Sequence, residues 1–372
     1  MNAPLKFDSP VEHIRTFHRE LTDVRRDIHA HPELGFNEQR TSDLVAAKLQ
    51  SWGIEVHRGI AKTGLVGVIK GHKSTSGRAI GLRADMDCLP MHENGNPPYK
   101  SLHPGCMHAC GHDGHTTMLL GAGRYLAETR NFDGTAYLIF QPAEEGGGGG
   151  RVMVEEGLFD RFPADEIQIG VRGKGGHGAL PHLAVDPVVI SAHIITALQT
   201  IASRNVSPVD SVVVSVCSME TSQLGAFNVI PDAVRLIGTV RTFRPETRVL
   251  AEQRVREIVT NVAAAFGGTA EIDYRRGYPA TVNTEREALF AAKVGEKIFG
   301  KDNVQTDGEP TMGGEDFSYM LQARPGAYAW LGQGGGPLGC FLHNPGYDFN
   351  DDVIPLGAGY LAALVEESLP IK

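Results

Sequence analysis

Apolar residues near the start of the chain recur at the three- and four-residue spacing of amphipathic helices. Ser9, Pro10 and Glu12 are typical of a capped helix start, and the periodic positions from Val11 to Ile28 predict one long helix. A second helix is predicted over Thr41–Trp52, with Gly53 as its stop. Further on, short apolar runs predict buried strands at Gly64–Ile69, Ala79–Ala84 and Thr135–Phe140. Another helix is predicted before the last strand, at Thr116–Ala127.

The predicted strands carry acidic residues at their carboxyl ends. Asp85 and Asp87 follow the second strand, and Glu144 and Glu145 follow the third. In open α/β sheets, functional groups collect at this edge. The pattern therefore predicts a mixed, doubly wound α/β sheet with a catalytic edge.

From Ile167 onward the pattern changes to strands and helices in the order βαββαβ. This order is typical of a ferredoxin-like unit, an antiparallel sheet covered by two helices. We predict a catalytic domain over residues 1–166, an inserted lid and dimerisation domain over 167–277, and the rest of the catalytic domain over 278–372. The strands and helices of the insert are predicted at Ile167–Val171, Asp186–Ser203, Ser211–Ser218, Ala233–Thr242, Pro245–Phe266 and Ala270–Tyr274.

Composition narrows the class of protein. The chain has 372 residues, 41% hydrophobic and 21% charged, which is ordinary for a globular protein of two domains. A net charge of -9 argues against nucleic acid or an anionic membrane as the main partner. No apolar run approaches the length of a membrane span, and five cysteines are too few for a disulfide scaffold. We expect a cytoplasmic protein.

The segment 107–115 contains three histidines, a cysteine and an aspartate. Cys110 and His112 alone are a weak signal, because their spacing also suits a polar helix entry. Together with Glu145 and His343 they predict a metal centre; if it holds two ions, the Cys110 thiolate is the best bridge and the other three are terminal ligands. Such a mixed donor set suits Zn, Mn, Co or Ni. The side chains of Glu144 and Glu145 diverge, so one can bind metal while its neighbour acts as general base.

Three polar residues of the insert are weaker candidates. His177 lies in a glycine-rich turn, Asn228 precedes a turn and Arg241 lies at a strand end. Taken singly, a surface turn, an Asx cap and a strand-edge charge explain them equally well.

Taken together, the motifs resemble the aminoacylase/carboxypeptidase-type metallohydrolases, in the branch of the hippurate hydrolases and indole-acetyl-amino-acid amidohydrolases. The matching segments extend over nearly the whole chain: His29–Gly35, Leu82–Asp87, Met107–His115, Gln141–Glu145, Gly173–His182, Asn228–Asp232, Gly238–Phe243, Gly314–Phe317, Leu342–Pro345 and Tyr347–Phe349.

The resemblance implies hydrolysis of an N-acyl-amino acid, hippurate-like or N-acetyl, by water activated at two divalent ions per subunit. It implies Cys110, His112, Glu145 and His343 as ligands and Glu144 as base. It also implies that His177 stabilises the oxyanion in a partner subunit's site, and that Asn228 and Arg241 hold the substrate's carboxylate. The lid domain of the family forms a homodimer.

One departure concerns the metal centre. The family has a further catalytic strand and a Gly-x-His ligand between the glycine-rich helix and the lid, whereas here Glu166 leads directly to Ile167. The same shortage follows from counting strands, because the helix before Gly157 lacks a parallel return strand. Three explanations remain open: residues absent from the recorded sequence, which we favour, a real deletion, or replacement by His108, His115 or His182.

Two rival functions follow. The chain would be a metal-impaired, catalytically weak binding protein for N-acyl amino acids if one metal-ligand segment is missing. Alternatively, Cys110 would be the nucleophile of a cysteine hydrolase.

Overall fold

A computed structural model describes residues 9–158, 165–222, 226–242, 244–275, 280–309, 311, 313–334 and 340–371. The chain forms two compact units. One contains Met1–Arg161, Val282–Gly308 and Tyr319–Lys372, and the other contains Phe162–Thr281 and Glu309–Ser318. Two of the boundaries between these units follow residues 161 and 281, and the predicted domain limits, after residues 166 and 277, lie within five residues of them.

The first unit contains a four-stranded mixed sheet. Its strands are β1 (Glu55–Ile60), β2 (Gly64–Lys70), β3 (Ala79–Asp85) and β4 (Thr135–Gln141), in the spatial order β1-β2-β4-β3. Strands β3 and β4 are parallel and the other pairs are antiparallel. Because Asp85 pairs with Gln141, the segments that follow both strands leave the sheet at the same edge.

Helices pack on this sheet around one apolar core. Buried side chains from α1 (Pro10–Arg15), α2 (His18–Ala30), α3 (Gln39–Ser51), α4 (His112–Thr129) and α10 (Ile354–Ser368) join those of the strands. Fully burying a Leu or Ile contributes about 1.5–3 kcal/mol, so this core stabilises the elements that carry the site. The remaining helices are α5 (Gly149–Met153), α6 (Pro187–Thr200), α7 (Pro245–Ala265), α8 (Glu285–Phe299) and α9 (Phe317–Ala323).

The second unit contains an antiparallel sheet built from β5 (Asp165–Arg172), β7 (Val212–Thr221), β9 (Ala233–Thr242) and β10 (Thr269–Arg275). Their order is β10-β5-β9-β7, and α6 and α7 contribute apolar side chains to the core beneath the sheet. A two-residue pair, β6 (Gly176–His177) and β8 (Val229–Ile230), lies apart from it. The predicted α/β class, with a mixed main sheet and a separate antiparallel lid domain, is confirmed.

One local prediction was wrong, and one strand was not predicted. The first helix is divided into α1 and α2 near Thr16, whose hydroxyl donates to the carbonyl of His13 at 2.6 Å. Strand β1 was not predicted, because at the edge of the sheet most of its side chains are exposed and its sequence lacks an apolar run. Among the residues described, no helix is both long and apolar enough to cross a membrane.

Candidate metal and active site

Asp87 connects three parts of the site through hydrogen bonds. Its buried carboxylate accepts the backbone N–H of Glu144 at 3.0 Å and that of Glu145 at 2.9 Å. Its backbone carbonyl lies 2.9 Å from Nδ1 of His112. A carbonyl can only accept, so Nδ1 carries a proton, and in the neutral imidazole the lone pair is then on Nε2. The end of β3 thus fixes both the glutamate pair and the first residue of α4.

The turn that presents the glutamates has a strained backbone. Ala143 has φ +50°, in the left-handed region that residues with a Cβ rarely adopt. Glu38 holds this turn by accepting the N–H of Ala143 at 2.8 Å. Gly35 packs so closely that an added Cβ would lie 2.9 Å from the Cβ of Ala143. The turn is therefore held in a conformation that it would not adopt alone.

His343 joins the site from far along the chain. Its backbone N–H donates to the carbonyl of Ala109 at 2.8 Å, and its φ is +59°. Its Nε2 lies 3.3 Å from Oε1 of Glu145. Ligand atoms of Cys110, Glu145 and His343 all lie within 4.8 Å of one another.

A second group of atoms surrounds Nε2 of His112. Oε2 of Glu144 and Oε1 of Glu145 each lie 4.0 Å from it. Oε1 of Glu145 is buried and has no hydrogen-bond partner. Two donors on a tetrahedral zinc ion are separated by roughly 3.3 Å, close to the spacing seen here. This orphaned oxygen and the S/N/O donor set fit a divalent metal ion of the kind that the sequence predicts.

The electrostatics of Cys110 argue against the cysteine-hydrolase alternative. Burial raises the pKa of this thiol to about 11, despite the opposing effect of His112. A cysteine nucleophile needs a depressed pKa to supply thiolate at neutral pH. A metal ligand gains its deprotonated form from the cation instead.

A buried network of charged residues lies behind α4. Nδ1 of His29 and Oδ2 of Asp113 are 2.8 Å apart, and Arg25 is fully buried beside them. Burial alone would lower the pKa of His29, but hydrogen bonds to Asp113 and Glu93 raise it to about 9. Burial alone would raise the pKa of Asp113, yet His29 and Arg25 hold it well below its usual value. The network holds the first turn of α4, which carries His112.

The candidates of the second unit fall into two places. His177 and Asn228 line one groove of about 340 Å³, where the N–H of Gly178 donates to the carbonyl of Asn228 at 2.7 Å. Arg241 lies on β9 opposite Val213 and is not among the lining residues of that groove. The roles of these three residues stay predictions.

One cluster was not predicted from the sequence as a group. Asp85, His112 and His115 bring possible ligand atoms within 4.8 Å of one another. Of the three proposed replacement histidines, only His115 lies in such a group among the described residues. His108 is buried, and neither of its ring nitrogens has a hydrogen-bond partner, while His182 lies in an exposed turn of the second unit. Asp85 lies 27 residues before His112 in the sequence, so spacing alone gave no sign of the contact.

This fold and these clustered ligands define a metallohydrolase-like α/β protein. The model of peptidase family M20/M25/M40 matches residues 81–367, and the chain belongs to this family. The hippurate hydrolase of Campylobacter jejuni is 41% identical over 373 residues, covering 93% of this chain and 95% of that protein. The IAA-amino acid hydrolase ILR1-like 4 of Arabidopsis thaliana is 36% identical, covering 94% and 86%.

Solved structures agree with this assignment. The Bacillus subtilis YXEP protein, described as a dinuclear metal binding peptidase from the M20 family, is 30% identical with a TM-score of 0.74. The match covers 95% of this chain and 99% of that one. A putative aminohydrolase from methicillin-resistant Staphylococcus aureus has a TM-score of 0.80 at 29% identity, covering 95% and 98%. The predicted resemblance to metallo-amidohydrolases is confirmed.

The alignment with the hippurate hydrolase also bears on the departure predicted near Glu166. It extends over 373 residues although only 93% of the 372 residues here take part, so that relative has residues without a counterpart in this chain. Among the described residues, no strand lies between α5 and β5. Both observations agree with a missing element, whose position stays a prediction.

Proposed function

We propose that this protein cleaves the amide bond of N-acyl-amino acids, hippurate-like or N-acetyl, in a reaction that depends on two divalent ions. The observation that carries the proposal is the pair of glutamates held by Asp87 beside His112. Glu145 directs an unpartnered oxygen toward His343 and His112, and Glu144 places a second carboxylate next to them.

The residues divide into binding and proton-transfer roles. Cys110, His112, Glu145 and His343 would hold the ions, which supply Lewis-acid activation of water. Glu144 is buried with its carboxylate 4.0 Å from Nε2 of His112. It accepts a proton from the attacking water and delivers it to the departing amine, the role of a general base and acid.

The second unit would bind the rest of the substrate. His177 is exposed and donates a hydrogen bond to the developing oxyanion of a partner subunit's substrate. Asn228 and Arg241 hold the free carboxylate, for which the planar guanidinium of Arg is well suited. A homodimer formed through this unit, in the cytoplasm, completes the proposal. It is supported by the position of β7, which is an edge strand of the sheet among the residues that the structure describes.

The variant Glu144→Gln tests the assignment. It removes the proton acceptor but keeps the shape, so metal content should be unchanged and kcat should fall roughly 10²- to 10⁴-fold. Release of the amino acid from hippurate and from N-acetyl-amino acids measures turnover, and Glu155→Gln, an equal change of charge outside the cluster, is the matched control. Near-normal turnover in Glu144→Gln would rule out its role as base.

The missing element favours a second candidate, a metal-impaired protein that binds N-acyl amino acids without hydrolysing them. Metal content per subunit separates the two. Two ions together with chelator-sensitive turnover support the hydrolase, while one ion or none, with ligand binding retained, supports the binding protein.

A further inference from the structure

Asp85 contributes a further carboxylate close to Nε2 of His112. Its Oδ2 lies 3.7 Å from Nε2 of His112, closer than either glutamate oxygen at 4.0 Å. Asp85 is the last residue of β3 and its side chain is only 2% exposed. Nε2 of His112 therefore has three carboxylate oxygens within 4.0 Å, and of the three residues that provide them only Asp85 had no predicted role.

The carboxylate of Asp85 is held rigidly by two cationic or donating side chains. Nδ1 of His115 lies 2.7 Å from Oδ1, and Nη1 of Arg83 donates to Oδ2 at 2.8 Å. Arg83 is itself fixed by a hydrogen bond from its Nε to Gln141 at 2.9 Å. A carboxylate oxygen has two lone pairs, so Oδ2 can accept from Arg83 and still coordinate a cation.

We propose that Asp85 is a ligand of the ion bound by His112, through Oδ2, and that His115 is the positioning residue that holds its other oxygen. The proposal rests on the metal dependence proposed above. It answers the shortage near Glu166, because an ion held there by His112 and one shared glutamate would otherwise lack a ligand. Bringing Oδ2 from 3.7 Å to the roughly 3.3 Å separation of tetrahedral zinc ligands needs a shift of a few tenths of an ångström.

The two ions would then have different surroundings. Cys110, Glu145 and His343 offer a sulfur, an oxygen and a nitrogen. The two groups that share His112, one with Asp85 and His115 and the other with Glu144 and Glu145, offer only oxygen and nitrogen. Thiolate ligands favour soft ions, and carboxylates favour harder ions such as Mn²⁺. In the proposed arrangement the shared ligand is Glu145 and not, as predicted from the sequence, Cys110. Only the first ion then has a sulfur ligand, so each ion can be observed separately.

The test titrates Co²⁺ into the metal-free full-length protein and its variants Asp85→Asn and His115→Ala. Asp133→Asn is the matched control, because Asp133 is also a buried carboxylate of the first unit that accepts hydrogen bonds, from Thr75 and Ser76. Bound cobalt per subunit is counted by elemental analysis. The thiolate-to-cobalt charge-transfer absorption reports the ion at Cys110, and thermal unfolding reports folding.

We expect two ions in the unaltered protein and in Asp133→Asn. In Asp85→Asn the charge-transfer absorption should remain while the second ion binds more than about 100-fold more weakly, since loss of even an outer partner costs 10- to 100-fold. His115 does not bind the ion itself but holds Asp85, and its side chain is partly exposed. In His115→Ala the second ion should therefore bind roughly 10- to 100-fold more weakly, with binding of the first ion unchanged.

The proposal is overturned if Asp85→Asn binds two ions with unaltered affinity, if the unaltered protein binds only one, or if Asp85→Asn loses the charge-transfer absorption as well. If Asp85→Asn does not fold, His115→Ala decides alone, and unchanged binding there overturns the proposal. Turnover of N-acyl-amino acids is measured separately. Two ions bound as expected without hydrolysis would refute the proposed function and leave this ligand assignment intact.

Discussion

Replacing Asp87 with Asn would test how the glutamate pair is positioned. Asn keeps one carbonyl oxygen, so it can accept the N–H of Glu144 or that of Glu145, but its amide group faces the other donor. A hydrogen bond to a charged group contributes about 1.5–3 kcal/mol, and a buried unpaired donor costs about 1–3 kcal/mol. We therefore expect the free energy of unfolding to fall by about 2–4 kcal/mol.

The effect on turnover follows from geometry. The new amide group repels the backbone N–H that it faces, which moves Glu144 or Glu145. A displacement of 1 Å at a reacting group lowers the rate about 10²-fold. Urea unfolding followed by tryptophan fluorescence measures the stability of the first unit, because both tryptophans, Trp52 and Trp330, lie in it. Turnover and metal content are measured on the same samples.

Asp133→Asn again provides the comparison. Its oxygen Oδ1 accepts the N–H groups of Thr75 and Ser76, two consecutive residues, as the carboxylate of Asp87 does for Glu144 and Glu145. It should lose stability without losing turnover. The reasoning is refuted if Asp87→Asn keeps its stability and turnover, or if both variants lose turnover equally.

Three further predictions concern other parts of the protein. Arg241→Ala should raise KM for substrates with a free carboxylate and not for their amides; an equal rise for both, measured by amino-acid release, would contradict the carboxylate clamp. The free energy of unfolding should decline as pH rises, because the pKa of His29 is about 9 in the folded protein against an ordinary 6.5. This contribution is fully present below pH 6.5 and is lost as pH rises through about 9. Urea titrations of the unaltered protein and of His29→Gln at a series of pH values check this. If the free energy of unfolding of both proteins changed with pH in the same way, the assigned contribution of His29 would be excluded. The intact mass should be 40.1 kDa if the chain truly lacks an element near Glu166, and larger if residues are absent from the recorded sequence.

Much of the framework of the first unit could be predicted from local patterns. The apolar runs of β3 and β4 were predicted because the carboxyl-terminal halves of both strands are largely buried, and the acidic residues that follow indicated the functional edge of the sheet. The contact between Asp85 and His115 could not be predicted, since it depends on how β3 and α4 pack and not on any repeat in the sequence.

The position of His343 shows the same limit over a longer distance. It lies 233 residues after Cys110 in the sequence, so only donor chemistry and the family resemblance connected the two, and no spacing did. The left-handed conformations of Ala143 and His343 were also unpredictable, because neither residue type prefers them. Both are imposed by surrounding contacts, through Glu38 at the first residue and Ala109 at the second.

These two conformations limit how the protein can be stabilised by engineering. A left-handed residue with a Cβ costs about 1–2 kcal/mol, so glycine at Ala143 or His343 would relieve strain. At His343 the exchange removes a proposed ligand, and at Ala143 it loosens the backbone that aims Glu144. A screen that selects only for thermal stability would therefore favour changes next to the site that lower activity, as expected when strain and function share the same residues.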